Sequence, residues 1–273
     1  MNETAGGSWP AAPTRATDPW RHVMYLRDLL RELVVRDLKL RYERSVLGVL
    51  WAVVNPLAQL LVFVFVFQYV IRLDIPNYTL FVFTGVVAWN WTREGLMRST
   101  DAITGNRDLI CQPGFPLALL PVVSLTTPLV DLLVALPLVV LLAAFGGGEI
   151  NLSLLALPLV IALQFLMLQG LGYLVAATQV LFRDTSHLLG VVLTLGFFLT
   201  PVFYDTTEIP SGFRALYLLN PMGHVIAAYR SIVMHGELPD PSILLAFSFF
   251  GGLLCWIGRS IFERVSHRFA EEL

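Results

Sequence analysis

Lysine is all but missing from this chain. Lys39 is the single lysine among 18 basic residues. A phosphate-binding loop of the G-x-x-x-x-G-K-[ST] type needs a lysine to reach the phosphates, and the residues before Lys39 do not form one. The chain has no such means of binding ATP. If ATP drives it, another polypeptide supplies the motor. Charge of either sign is scarce as well: 14% of residues are charged and 56% are hydrophobic, where a soluble domain carries about 25% charged residues. That deficit puts the protein in a bilayer. The net charge of -2 gives no basic field for nucleic acid. The two cysteines, Cys111 and Cys255, fall in a polar loop and an apolar helix, so neither a disulfide nor a metal site is expected. No H-E-x-x-H or G-x-S-x-G stretch occurs, and His22, His187, His224, His235 and His267 are scattered. No catalytic residue is assigned.

What the chain does have begins at residue 25. Leu26, Leu29, Leu30, Leu33, Val34, Leu38 and Tyr42 recur at spacings of three and four within an otherwise ionic stretch. This predicts an amphipathic helix over 20–45, lying at a membrane surface. It feeds into residues 46–71, which hold no charge. At a rise of about 1.5 Å per residue, that run crosses a hydrocarbon core of about 30 Å. Further spans are expected near 78–98, 117–145, 152–182, 188–204 and 242–261. Residues 1–19 read as a disordered lead, 46–262 as one six-helix membrane domain, and 263–273 as a tail. The first apolar run starts late and is too long for the apolar part of a secretory signal, so no cleavable signal is expected. The fold class is therefore all-α integral membrane, helices being the means by which lipid-exposed backbone satisfies itself.

Six spans put both ends on one side. On that side lie Arg15, Arg21, Arg27, Arg31, Arg36, Lys39, Arg41, Arg44, Arg93, Arg98, Arg107, Arg183, Arg259, Arg264 and Arg268. The other side has Arg72, Arg214 and Arg230. The asymmetry makes both termini cytoplasmic. Between the fifth and sixth spans, 223–235 has helical character, carries Arg230 and is too short to cross. It reads as a re-entrant or interfacial helix, after a break at Asn220-Pro221.

Arg41 and Arg44 sit where the surface helix meets the first span. Guanidinium groups at headgroup depth suit phosphate, which they bind in a bidentate way, and the pair reads as a site for a lipid-linked diphosphate. Ordinary snorkelling is the alternative. Asp131 is the one charge within the third span, a functional candidate whose partner the sequence does not reveal. Glu94 and Arg98, four apart, can pair on one helix face. Trp51, Phe197, Phe198, Phe203 and Tyr204 are candidates for aromatic faces along a channel that sugar rings slide over; lipid contact or packing is the alternative for each. Phe63, Phe65 and Phe67 alternate, which on a helix spreads them around.

The run Arg41-Tyr42-Glu43-Arg44-Ser45-Val46-Leu47-Gly48, with Trp51 and Asn55-Pro56, resembles the R-Y-x-R-S-x-L-G-x-x-W-x-x-x-x-P motif that leads into the first span of ABC-2 type permeases. These are membrane subunits of exporters of O-antigen, teichoic acid and cell-wall galactan. Phe182-Arg183-Asp184 with His187, Thr200-Pro201-Val202-Phe203-Tyr204, and Leu219-Asn220-Pro221-Met222 through Ala228-Tyr229-Arg230 follow in the family's order. The resemblance implies a permease in a bacterial inner or plasma membrane, working as two copies above two copies of a P-loop ATPase subunit. ATP and Mg would be held by that partner. It implies that Asn106, Arg107, Asp108, Arg183 and Asp184 face the ATPase, that 205–221 forms outer gate elements, and that the cargo is a glycan on a polyprenyl diphosphate. The Cys111-Gln112 pair departs from the family pattern in the coupling loop. Two alternatives remain open at this point: a permease of the same fold for a small lipid or drug, and an integral-membrane enzyme using Asp131 and a histidine on lipid-linked sugars.

Overall fold

A computed structural model describes residues 19–43, 45–206 and 209–269. Arg44, the lead before Pro19 and the last four residues lie outside the described residues. Ten α-helices and no strand occur among those described. Helix α1 is Pro19–Tyr42. The chain then leaves the helix at Glu43 and re-enters through one 3-10 turn, Gly48–Leu50. Helix α2, Trp51–Phe63, continues as a π-helical stretch, Val64–Val70. Helices α3 (Tyr78–Thr104), α4 (Arg107–Ile110), α5 (Leu119–Gly146), α6 (Leu157–Leu181) and α7 (Thr185–Leu199) follow. After them come α8 (Arg214–Leu218), α9 (Pro221–Met234) and α10 (Pro241–Ser266).

The amphipathic lead and the first span are thus not one continuous rod. Gly48 has φ +51°, in the left-handed region. An added Cβ there would meet nothing within 4 Å, so the need for glycine is set by the backbone and not by crowding. The apolar stripe of α1 also differs from expectation. Leu29, Leu33 and Val34 are buried against the chain itself, in a cluster with Ile103, Leu109, Leu120, Ala176, Val180 and Phe262. Protein covers these three side chains, while Trp20, Val23, Met24, Val35 and Leu40 of the same helix are exposed. The same cluster gathers the C-terminal ends of α3, α6 and α10 and the N-terminal end of α5 at one end of the bundle, as helices of alternating direction require.

The larger core surrounds α3, which is buried from Tyr78 to Thr92 at every position except Thr79 and Asn90. It packs against α2, α5, α6, α7 and α9. Among the described residues, four segments are long and apolar enough to cross a membrane: Gly48–Val70, Leu119–Gly146, Leu152–Leu181 and Pro241–Ser266. Helix α3 has the length, at 27 residues, but its second half carries Arg93, Glu94, Arg98 and Asp101. Helix α7 has 15 residues, or about 22 Å, short of a core of about 30 Å. Helix α9 starts as its sequence predicts: Asn220 Oδ1 accepts from Met222 N at 3.0 Å and Pro221 takes the first helical position.

Candidate functional site

Trp51, Asn55 and Gln59 follow each other at intervals of four on α2 and so share one face. Asn90 and Glu94 do the same on α3, and Pro128, Asp131 and Ala135 form the corresponding stripe on α5. The three stripes converge on an open cavity of about 380 Å³, with Arg41 from the end of α1 at its rim. The lining is mixed. Arg41, Arg93, Glu94 and Asp131 are charged, Asn55, Gln59 and Asn90 are amides, and Val87, Leu132 and Ala135 are apolar.

Asp131 is the hub of the charged part. Arg41 Nη1 donates to its Oδ2 at 2.6 Å, and Tyr42 Oη donates to its Oδ1 at 2.7 Å. The partner that the sequence hides lies ninety positions earlier, on a helix that packs over the end of α5. Arg41 also reaches Glu94 at 3.7 Å, while Arg98 Nε donates to Glu94 at 3.0 Å, the pairing its spacing predicts. Burial, and then the bond to Asp131, push the Tyr42 hydroxyl up to about 12, so it remains a donor throughout the physiological range. Deeper in, Asn90 Nδ2 donates to Gln59 Oε1 at 2.9 Å. Trp51 Nε1 donates to Ser45 Oγ at 3.0 Å across the break before α2.

Asp131→Ala leaves Arg41 and Tyr42 without their acceptor. Because the pair is only half-buried, the expected cost is about 1–2 kcal/mol, concentrated on the end of α1. Hydrogen exchange should speed up over residues 36–43 and stay as it is in α6. Unaltered exchange there would separate Asp131 from the anchoring of α1.

The other sequence-assigned residues fall in separate places. Phe203 is buried and stacks with Phe63 and Phe67 at centroid distances of 5.7 and 4.9 Å. Phe197 joins this group at 5.7 Å from Phe63. Phe198 is exposed, and Tyr204 donates to the Phe198 carbonyl at 3.0 Å. Trp51 belongs to the cavity and not to this group: it starts α2, and Phe63 ends it. Arg107 and Asp108 are exposed on α4, whose Leu109 is buried in the cluster that α1 covers. Asn106 accepts from Arg36 at 3.0 Å, which ties that loop to α1. Arg183 and Asp184 are exposed on a turn braced by Gln179, which donates to the Arg183 carbonyl at 3.1 Å and accepts from Ser186 N at 2.8 Å.

Two buried polar centres have partners that the sequence did not supply: Gln164, to which it assigned no role, and Arg230, which it showed as a charge on the 223–235 helix. Gln164, buried in α6, donates to Thr92 Oγ1 and the Ala88 carbonyl, both at 3.0 Å, and accepts from Tyr229 Oη at 3.0 Å. Its signal was a glutamine within an otherwise apolar run. Arg230, also buried, donates to the carbonyls of Pro201 at 2.8 Å and Val202 at 2.7 Å, and twice to that of Phe81 at 3.2 Å.

Residues 28–234 match the model of the ABC-2 type transporter family, and the chain belongs to that family. It is a membrane transport subunit, which sets aside the reading as an enzyme acting on lipid-linked sugars. The chain is 36% identical over 255 residues to the O-antigen export system permease protein RfbA of Myxococcus xanthus, across 93% of this chain and 98% of that protein. It is 32% identical over 250 residues to RfbA of Klebsiella pneumoniae, across 91% and 96%. To the polysialic acid transport protein KpsM of Escherichia coli it is 24% identical over 236 residues, across 85% and 91%.

Proposed function

We propose that this chain is the permease subunit of an ATP-driven exporter that moves a polyprenyl-diphosphate-linked polysaccharide from the cytoplasmic face across a bacterial inner membrane. The observation that carries this is similarity to O-antigen export permeases over nearly the whole length of both chains. A small-lipid or drug permease would share the fold; the relatives named for O-antigen and polysialic acid favour a polymer. The lone lysine supports a separate P-loop ATPase as the motor.

In this reading two copies form the channel and two ATPase subunits bind beneath. The exposed Arg107 and Asp108 of α4 and the exposed Arg183 and Asp184 turn suit such docking, since both belong to loops braced from within the chain. Helix α3 and helix α7 with the residues after it complete six spans, and α9 is the re-entrant gate helix. Both termini are cytoplasmic, as the basic residues favour. The diphosphate is received by Arg41 and Arg44. Arg41 is held by Asp131, and a phosphate offers a guanidinium the same planar pair of acceptors as a carboxylate. Binding then passes Arg41 from a carboxylate to a phosphate, while Asp131 keeps the Tyr42 hydroxyl as its donor.

The test uses the permease co-purified with its ATPase in lipid nanodiscs. Arg41→Ala with Arg44→Ala should reduce the stimulation of ATP hydrolysis by lipid-linked glycan about tenfold or more, on the order of one lost charge-assisted contact. Full stimulation in the double variant would leave these arginines as anchors of α1 alone.

A further inference from the structure

The amides in the cavity carry no charge and take no part in the Arg41–Asp131 ion pair. Gln59 is exposed on α2 and Asn90 is half-buried on α3. A carboxamide carries two donor hydrogens and an acceptor oxygen with two lone pairs. The Asn90–Gln59 bond at 2.9 Å uses one donor and one acceptor, so the pair still presents donors and an acceptor to the cavity. Asn55 adds a third amide one turn from Gln59 along the same face of α2. In lipid such groups are costly, and helices that carry them turn them to water, to ligand or to each other. Trp51 stands at the rim end of this row and is exposed.

We propose that this row is a subsite for the first sugar of the substrate, the pyranose attached directly to the diphosphate. The inference rests on the proposed function and names what lies next to the phosphates. Three observations carry it. The first is order: along α3 the lining runs Glu94, Asn90, Val87, and along α5 Asp131, Leu132, Ala135, so charge gives way to amide and then to apolar side chains, which matches diphosphate followed by a hydroxyl-rich ring. The second is chemistry. Neighbouring amide donors and acceptors pair with vicinal hydroxyls or an acetamido group, and an indole face covers the C–H side of a sugar ring. The third is size. At about 380 Å³ the cavity is near the lower end of small-molecule sites and has room for one ring.

The test measures ATP hydrolysis by the permease–ATPase complex in nanodiscs, titrated with two probes: polyprenyl diphosphate alone, and polyprenyl diphosphate bearing one N-acetylglucosamine. Wild type should reach half-maximal stimulation at about tenfold lower concentration with the sugar-bearing lipid, as expected for one or two amide hydrogen bonds. Gln59→Met and Asn90→Leu should each bring that ratio close to one, while Gln59→Asn should keep part of it. Arg41→Ala should weaken the response to both lipids with the ratio retained. A ratio of about ten in both amide variants would overturn the subsite and leave the proposed function standing. Equal potency of the two probes in wild type would do the same. Wild type that answers neither probe would overturn the subsite together with the diphosphate reading beneath it.

Discussion

Arg230→Met is expected to lower the thermal midpoint of the detergent-purified protein by roughly 10 °C. The guanidinium bridges two separate stretches of backbone: the carbonyls of Pro201 and Val202 after α7, and that of Phe81 in α3. Its Cζ also lies 3.3 Å from the centre of the Phe81 ring. Phe81 has a helical partner for its carbonyl, but Pro201 and Val202 lie outside regular structure. Methionine fills the volume and satisfies neither. Two orphaned buried carbonyls cost about 3 kcal/mol or more, and about 3 °C accompanies each kcal/mol at this size. Arg230→Lys should recover less than half, because an ammonium cannot reproduce a planar fork that reaches three acceptors. A shift of only about 1–2 °C in the methionine variant, against the roughly 10 °C expected, would show that the carbonyls find other partners. Gly85 fits the same account: a Cβ there would come 3.0 Å from the Val202 carbonyl oxygen and 3.1 Å from Arg230.

Gly258→Leu should abolish recovery of monodisperse protein, while Gly252→Leu, earlier on the same helix, should be tolerated. Helices α6 and α10 touch through their backbones at Gly170 and Gly258. A Cβ on Gly258 would run into the Gly170 carbonyl, and one on Gly170 would lie 2.5 Å from the Leu254 carbonyl carbon and 2.6 Å from Cys255 N. Those are backbone atoms and cannot swing aside, so the helices must separate. The cost is about 3 kcal/mol or more. In lipid it is not offset by a hydrophobic drive, because helix association there depends on close packing. A Cβ added at Gly252 would have nothing within 4 Å, which makes it the matched control. Size-exclusion chromatography after detergent extraction distinguishes them, and a normal Gly258→Leu peak would mean that α10 can pack elsewhere.

The helices themselves were legible because their signals are local. Spacings of three and four put Leu29, Leu33 and Val34 on one side of α1, and they are buried together. Asn220-Pro221 opened α9, and Glu94 found Arg98 one turn away. What covers a face was not legible. The stripe on α1 is equally apolar whether lipid or protein meets it, and here α3, α4, α5, α6 and α10 do. The aromatics show the same limit. Phe63 and Phe67 are one turn apart and stack at 6.0 Å, whereas Phe65 between them is exposed. That they meet Phe203 depends on how α7 and the residues after it return to α2.

Arg41 and Asp131 mark the boundary between the two kinds of knowledge. The chain by itself determined a bilayer protein with scarce charge and no phosphate-binding loop in its sequence, a surface-type helix followed by an uncharged run, and a lone carboxylate in an apolar span. Each follows from composition or from residue types within a few turns of each other. Only the tertiary structure decided that this carboxylate holds an arginine and a tyrosine from α1, that three amides stand together beside them, and that Arg230 closes over carbonyls far away in the chain. Hydrogen bonds and ion pairs act over about 3 Å, and which groups come that close is set by helix packing, of which the linear order of residues carries no direct record.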